Sequence, residues 1–258
     1  MRKKIAYFWL PNRDRNAITY VIYIKQDFMV KFIESELVLL KKEIDEMWTL
    51  VYNQLDRAGE SVLTFDRELA QQVLVHERRV NAFELKIDSD VEDIIALYTP
   101  VAIDLRFVLA MLKINTNLER LGDFAESVAR FALEEKELTL DADLVKRLRL
   151  QEMIDQVLSM LELAKRALQE ESQELATSVF AKDNVLDEIN ANASTLLAEY
   201  IQQHPESALS CINLASVFRK LERAGDHITN IAEEIVFFID AKVLKHHDTA
   251  EEGYGQEK

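Results

Sequence analysis

A single cysteine, three prolines and five glycines are all that these 258 residues supply for stapling, breaking or bending the chain. One cysteine excludes an intramolecular disulfide and a thiolate metal cage. Cys211, in the largely apolar stretch Cys211-Ile212-Asn213-Leu214, reads as a small buried residue. So little glycine and proline cannot furnish the turns of an all-β protein, which favours long helices joined by short loops. Also missing is any run of about 18 uninterrupted apolar residues, so no membrane span is expected. The basic head Arg2-Lys3-Lys4 meets Pro11, Asn12 and Arg13 before a signal-peptide core can develop.

Positive charge is scarce as well. With 31 basic against 46 acidic residues the net charge is −15, which argues against a nucleic-acid binder, since that needs a basic face to neutralise phosphates. An acidic surface suits a soluble cytosolic protein, or one that meets cations or a basic partner.

What the chain does contain is helical periodicity, with 48% hydrophobic and 30% charged residues. Ile33, Leu37, Leu40, Ile44, Met47, Val51 and Leu55 follow one another in steps of three or four, the spacing of one buried helical stripe. Gly59 is placed to cap this helix at its C-terminus. A second helix is expected over 61–98, ended by Thr99-Pro100, and a third from Val101 into the acidic cluster Glu134–Glu137. The plan then recurs. Asp141 or Asp143 caps a fourth helix with the stripe Leu150, Ile154, Val157, Leu161, Ala164 and Leu168. Ser172 or Thr177 begins a fifth that ends near His204-Pro205, and a sixth runs to about Leu244. The chain therefore reads as all-α, two tandem three-helix bundles over 29–138 and 139–245. Residues 1–28 form an N-terminal extension foreign to the fold, with Met29 as the expected natural start, and 246–258 a frayed polar tail.

The rare residues carry the duplication. Pro100 and Pro205 are 105 apart, and Gly122 and Gly225 are 103 apart, as are Glu119 and Glu222, and Asp123 and Asp226. That period is too long for a solenoid, so a whole bundle has been duplicated. Each copy contains an acidic box, Leu118-Glu119-Arg120-Leu121-Gly122-Asp123 and Leu221-Glu222-Arg223-Ala224-Gly225-Asp226. Its Glu and Asp share one helix face and repel, and the interior Gly costs roughly another 1 kcal/mol against Ala. The same local rule is broken twice at the same place, which points to function or to unusually close packing.

The preceding helices offer counterparts. Glu77 and Asn81 begin 23 residues before Pro100, and Asp183 and Asp187 begin 22 before Pro205. Helices folded back at the prolines bring these pairs level with the boxes. Oxygen ligands of this kind favour hard cations such as Mg²⁺, Mn²⁺ or Fe³⁺ over a structural zinc, and so many carboxylates are hard to keep ionised together without a cation. The bland alternative is a solvated acidic face. His227 reads as a surface or cap residue, and His246-His247 as incidental. The chain has no Glu-x-x-His pair of the di-iron bundles, no phosphate-cradling Gly-rich loop and no nucleophile elbow. Outside the tail only His76, His204 and His227 remain for acid–base work.

Over about Met29–Lys245 these features resemble the PhoU family, through the doubled L-E-R-x-G-D box, the segment Pro100-Val-Ala-Ile-Asp104-Leu105-Arg106 and the acidic pairs at Glu77/Asn81 and Asp183/Asp187. The resemblance implies two pseudo-twofold-related bundles bearing multinuclear iron or zinc-type clusters, in a cytoplasmic homodimer that is not an enzyme. It implies a negative regulator of phosphate uptake and of phosphate-starvation signalling. The partners so implied are the phosphate ABC transporter ATPase and the membrane sensor histidine kinase, with only peripheral membrane association. By position, the implied metal ligands are Glu77, Asn81, Glu119 and Asp123 in the first bundle and Asp183, Asp187, Glu222 and Asp226 in the second. Asn81 weakens the first site, and Asp104 and Arg106, unmatched in the second unit, either pair with each other or serve a partner surface. Two other readings stand beside this: a metal-dependent phosphohydrolase or oxidase, and a metal-free helical scaffold.

Overall fold

The computed structural model describes residues 12–100, 103–135 and 140–240, with side chains from Phe32 to Ile239 within those spans. Seven α-helices follow in order: α1 Asn12–Thr64, α2 Arg67–Asp93, α3 Ile103–Glu134, α4 Ala142–Arg147, α5 Leu150–Glu170, α6 Gln173–Gln203 and α7 Ala208–Asp240. Among the described residues there is no strand. Helices α1, α2 and α3 pack as one bundle and α5, α6 and α7 as a second, with α4 a short lead-in. The expected all-α duplication is therefore what the chain forms. Residues 12–28, expected to lie outside the fold, continue α1 as helix; residues 1–11, and the tail from 241, lie outside the described residues.

The stripe read from the sequence is the buried face of α1, with Leu40, Ile44, Met47, Val51 and Leu55 all in the core. It is met by Val73, Val80 and Ile87 of α2 and by Met111, Ile114, Leu118 and Leu121 of α3. Burial of such stripes, at about 25 cal/mol per Å² of apolar surface, holds each bundle together.

The expectation for Gly59 fails. Helix α1 does not end there, and no glycine has positive φ among the described residues. A β-carbon on Gly59 would lie 2.5 Å from Ile154 Cγ2 of α5, so this glycine lets the two bundles approach. The turn comes six residues later and uses no glycine. Phe65 adopts a left-handed φ of 56°, and Asp66 then caps α2, accepting from the amides of Glu68 at 2.8 Å and Leu69 at 3.1 Å. Helix two consequently starts at Arg67 and not at Ser61. The device recurs 106 residues on. Glu171 has φ 49°, and Ser172 caps α6 by accepting from the amide of Leu175 at 3.3 Å. Of the two starts expected for that helix, Ser172 is the one used. Asp141 occupies the N-cap of α4 without a side-chain cap bond, and Arg149 in the left-handed region separates α4 from α5, where one helix was expected.

The ends nearest the prolines differ. Helix α2 relaxes into a π-turn over Ile94–Tyr98 and stops at Thr99, left-handed at φ 50°. Helix α6 stops at Gln203, and Pro205–Ser207 form a 3₁₀ turn before α7.

The bundles join along α3 and α7, which run antiparallel, and along α1 and α5. Phe124 of α3 and His227 of α7 meet across the first seam with ring centroids 5.4 Å apart. These two positions are 103 apart in sequence, so equivalent residues face each other and the pseudo-twofold axis passes beside them. Around it Phe107 meets Phe238 edge-on at 5.8 Å, and Asn213 donates to Glu135 Oε1 at 2.9 Å. Lys113 pairs with Glu234 at 3.0 Å.

Candidate functional site

Each acidic box lies on the face of α3 or α7 that looks toward the preceding helix, and its glycine sets the distance. A β-carbon on Gly122 would come within 3.1 Å of Glu77 Oε2 and of Val80 Cγ1, both on α2. On Gly225 it would come within 2.6 Å of Asp183 Oδ1 and 2.4 Å of Leu186 Cδ1, both on α6. The two glycines therefore exist for close approach, and what they admit is a carboxylate from the neighbouring helix. This answers the choice left open by the sequence, because packing and the acidic cluster are one arrangement.

In the first bundle Glu77 is 5% exposed and accepts a hydrogen bond from Gln54 Nε2 of α1 at 2.8 Å. Its Oε1 has no hydrogen-bond partner, and neither has Gln54 Oε1 beside it. Burial raises the Glu77 carboxyl to about 7 against the Gln54 hydrogen bond, with the charges of Asp123, Glu126 and Glu119 adding to the rise. Glu119 is raised by burial and then by Asp123, with Arg120 opposing. Arg120 pairs locally, at 3.5 Å from Glu119 and 3.0 Å from Asp123. Asn81, expected as a fourth ligand, is exposed on α2 one turn from Glu77, where both line an open groove with Glu126.

In the second bundle burial raises Asp183 to about 6, followed by the fields of Asp187, Asp226 and Glu222. Glu222 and Asp226 are both raised, by burial first and then by their acidic neighbours. The structure thus brings Glu77, Glu119 and Asp123 into one electrostatic cluster and Asp183, Asp187, Glu222 and Asp226 into another. Among the described residues, no three carboxylate, imidazole or thiolate groups converge closely enough to enclose one ion as they stand. The orphaned Glu77 Oε1 and Gln54 Oε1, with the mutual destabilisation of the carboxylates, nonetheless fit a hard cation, whose charge would let these groups ionise together.

Three contributors escaped the sequence reading. Gln54 interrupts the apolar face of α1, one step before Leu55, and only the fold shows that it reaches Glu77. Glu126 follows Asp123 by three residues on the same helix face, and Glu84 adds its charge to Glu119. The first cluster is consequently not the poorer in acid that Asn81 suggested.

Other expectations need amending. His227 is neither a surface nor a cap residue: it is half-buried in the bundle seam, hydrogen-bonded through Nδ1 to Asn117 Oδ1 at 2.8 Å, and burial holds its pKa down. Arg223 of the second box turns away across the seam and stacks over the Phe124 ring at 5.1 Å. His76 sits against Arg57, and His204 stacks on Tyr200 at 4.3 Å. Asp104 and Arg106 occupy the first turn of α3, far from the box. No ion pair joins them among the described residues, and Arg106 Nε is buried without a partner. Cys211 is buried, as expected.

Comparison with known proteins follows the same outline. The family profile of the PhoU domain matches twice, over residues 44–132 and 150–235. The phosphate-specific transport system accessory protein PhoU homolog 1 of Thermotoga maritima is 31% identical over 212 residues, covering 82% of this chain and 90% of that protein. The PhoU homolog of Pseudomonas aeruginosa is 30% identical over 236 residues, covering 90% of this chain and 93% of its own length. The crystal structure of PhoU from Pseudomonas aeruginosa superposes with a TM-score of 0.77 at 30% identity, over 81% of this chain and 99% of that one. The phosphate transport system regulatory protein PhoU from Streptococcus pneumoniae gives 0.73 at 25% identity, over 82% and 99%. Two matched bundles, each with its glycine-gated carboxylate cluster, make this chain a member of the PhoU family.

Proposed function

We propose that this protein is an accessory regulator of phosphate transport that carries metal ions on its two acidic faces and acts by contact, without catalysing a reaction. The observation that carries the reading is the close approach of a carboxyl to the glycine of each box: Glu77, buried, against Gly122 and Asp183, half-buried, against Gly225. Glu77, Glu119, Asp123 and Glu126 would hold the first ion or ions, with Asn81 at the rim. Asp183, Asp187, Glu222 and Asp226 would hold the second set. Iron, zinc, manganese and magnesium are the candidate metals, and an all-oxygen donor set favours the harder ions.

The relatives are named as accessory proteins of a phosphate-specific transport system, which supports the same kind of partner here. The phosphate ABC transporter ATPase and the membrane sensor histidine kinase are those partners, contacted from the cytoplasm by a homodimer that dampens uptake and the starvation response when phosphate is ample. In keeping with contact from outside the bilayer, no helix among the described residues is long and apolar enough to cross a membrane.

The test has two arms. Metal analysis of purified protein should find bound metal that falls in Glu119→Ala and in Asp226→Ala; metal-free native protein would remove the site assignment. Deletion in the native host should derepress phosphate-starvation genes at high phosphate, and unchanged expression would remove the regulatory assignment.

A further inference from the structure

Helix α1 is far longer than the helices it packs with, 53 residues against 27 in α2 and 32 in α3. Glu43 of α1 is paired with Lys86 of α2, so the two stand level, and α2 with its π-turn runs twelve residues further, to Tyr98. Twelve residues back from Glu43 on the antiparallel α1 is Lys31, and the first core residue described on α1 is Ile33. Helix α5 stops sooner, with Glu171 just past its end beside Lys41. Residues 12–31 therefore carry α1 beyond the bundle, with no other helix alongside among the described residues.

The sequence of this stretch is not that of a solvated helix. Ala17, Val21, Ile24, Phe28, Phe32, Ser35 and Leu39 follow one another in steps of three or four, the spacing of one helical face. It is a second stripe, separate from the one that makes the core. Ile33, Leu40 and Ile44 are buried, whereas Phe32 is 43% and Leu39 47% exposed. The bundle leaves the lower end of this stripe open, and the stripe continues into the part of α1 that has no neighbour. An amphipathic helix is stable in water only when its apolar face is covered. A bilayer does not serve: spanning one takes about 20 apolar residues, and Asp14, Arg15, Lys25 and Asp27 bound the apolar run at both ends.

The stripe fits itself. Its steps are 4, 3, 4, 4, 3 and 4, the same read from either end, with Phe28 at the centre. Two copies laid antiparallel about a twofold axis at Phe28 put Ala17 level with Leu39 of the partner subunit, Val21 with Ser35 of the partner subunit and Ile24 with Phe32 of the partner subunit. Charge selects the same orientation. Residues 12–31 include four basic and two acidic residues, and residues 32–46 two basic and five acidic. On α2 beside the second stretch, Lys86, Asp90 and Asp93 add one more net negative charge. An antiparallel pair sets the positive half against the negative half, and a parallel pair sets like against like. We infer that two copies of this chain pair through antiparallel α1 helices, with residues 17–39 as the contact, about 34 Å long at 1.5 Å per residue. The inference rests on the homodimer proposed above and names the surface that forms it.

The experiment is light scattering on the full chain, with oxidative cross-linking to read the orientation. The native chain should be a dimer, and Phe28→Asp and Leu39→Asp should each be monomers that keep the native circular dichroism, since Leu39 is exposed and Phe28 lies beyond the bundle. Cys211 is buried, which leaves the cross-linking background low. Phe28→Cys should give a covalent dimer, Ala17→Cys alone should not, and the double variant Ala17→Cys, Leu39→Cys should. Cross-linking of Ala17→Cys alone marks a parallel pair and overturns the inference, as does failure of Phe28→Cys to cross-link. A dimer that survives both aspartate variants overturns it too and leaves the homodimer standing on another surface. A monomeric native chain removes the homodimer and this inference together.

Discussion

Gly225 stands where a β-carbon would lie 2.6 Å from Asp183 Oδ1, closer than Gly122 stands to its own carboxylate at 3.1 Å. Gly225→Ala must therefore push Asp183 and Leu186 aside, an overpacking of about 1–3 kcal/mol. Against it works the better helix propensity of alanine, about 1 kcal/mol. Gly122→Ala meets milder contacts and the same propensity gain. Denaturant melts should show Gly225→Ala destabilised and Gly122→Ala within about 1 kcal/mol of the native chain. Equal stability of the two variants would mean that the glycines are not spacing their helices.

Gln54 holds Glu77 by one hydrogen bond at 2.8 Å and also donates to the Val73 carbonyl at 3.3 Å. The second bundle has Met160 at the matching position, 106 residues on. Gln54→Met should keep the bundle folded yet leave the Glu77 carboxylate without its orienting donor. Partners of this kind are worth roughly 10–100-fold in metal affinity. Mn²⁺ titration should show that loss in the first set of sites only. If both sets weaken together, Gln54 acts on the fold and not on Glu77.

Glu43 is buried on α1, where Lys86 of α2 pairs with both it and Asp90, the latter at 2.7 Å. Burial, then the hydrogen bond to Asp90, raises the Glu43 carboxyl above its usual value near 4.5, with Lys86 opposing. In the folded chain Glu43 then holds its proton to a higher pH than in the unfolded chain. Its penalty is absent in acid and grows as pH rises past that ordinary value. Asp90 is lowered and has the opposite sign, giving stability that is lost only as pH falls below about 4. Glu43→Gln removes the first effect while leaving an oxygen for Lys86. Its melting temperature relative to the native chain should therefore climb as pH rises above the ordinary carboxylate value near 4.5, and level off once the native Glu43 has ionised. A difference that stays flat above that value would show that Glu43 does not titrate there.

Glu171 is exposed and left-handed at φ 49°, with only a 3.9 Å ion pair to Lys41. That pair is worth little. A left-handed L-residue costs about 1–2 kcal/mol, which glycine avoids while returning about 0.5–1 kcal/mol through its freer unfolded chain. A β-branched residue suits the region worst. Thermal melts of Glu171→Gly, the native chain and Glu171→Val should rank in that order. Val equal to Glu would mean that the turn bends another way in solution.

How much of this was readable before the structure depends on the kind of signal. The stripe Leu40–Leu55 and the boxes are local patterns, so both the helices and the glycine-carboxylate coincidence could be seen in one dimension. Gly59 misled because a glycine near a helix end has a common local meaning. Its actual partner, Ile154, is 95 residues away and only the packing of α1 on α5 reveals it. Phe65 and Glu171 carry no mark of their left-handed turns, since neither residue type prefers that region. Gln54 has no marker in one dimension, because its partner Glu77 comes from α2, 23 residues on. The acids named for the second bundle were the easier set, being two complete i, i+4 pairs; Glu126 lay one turn beyond the motif that drew attention.

The contact between Phe124 and His227 has a historical consequence. Two separate copies of one bundle, related by a true twofold axis, would place the same residue against itself at this point. A phenyl ring against an imidazole is open only to a chain that carries both halves, because joining them let each side of the axis change alone. The same freedom put Arg223 over Phe124 and a hydrogen-bonded Asn117 beside His227. A second bundle expressed by itself could offer only histidine to histidine there, so the halves have become complements and are no longer interchangeable.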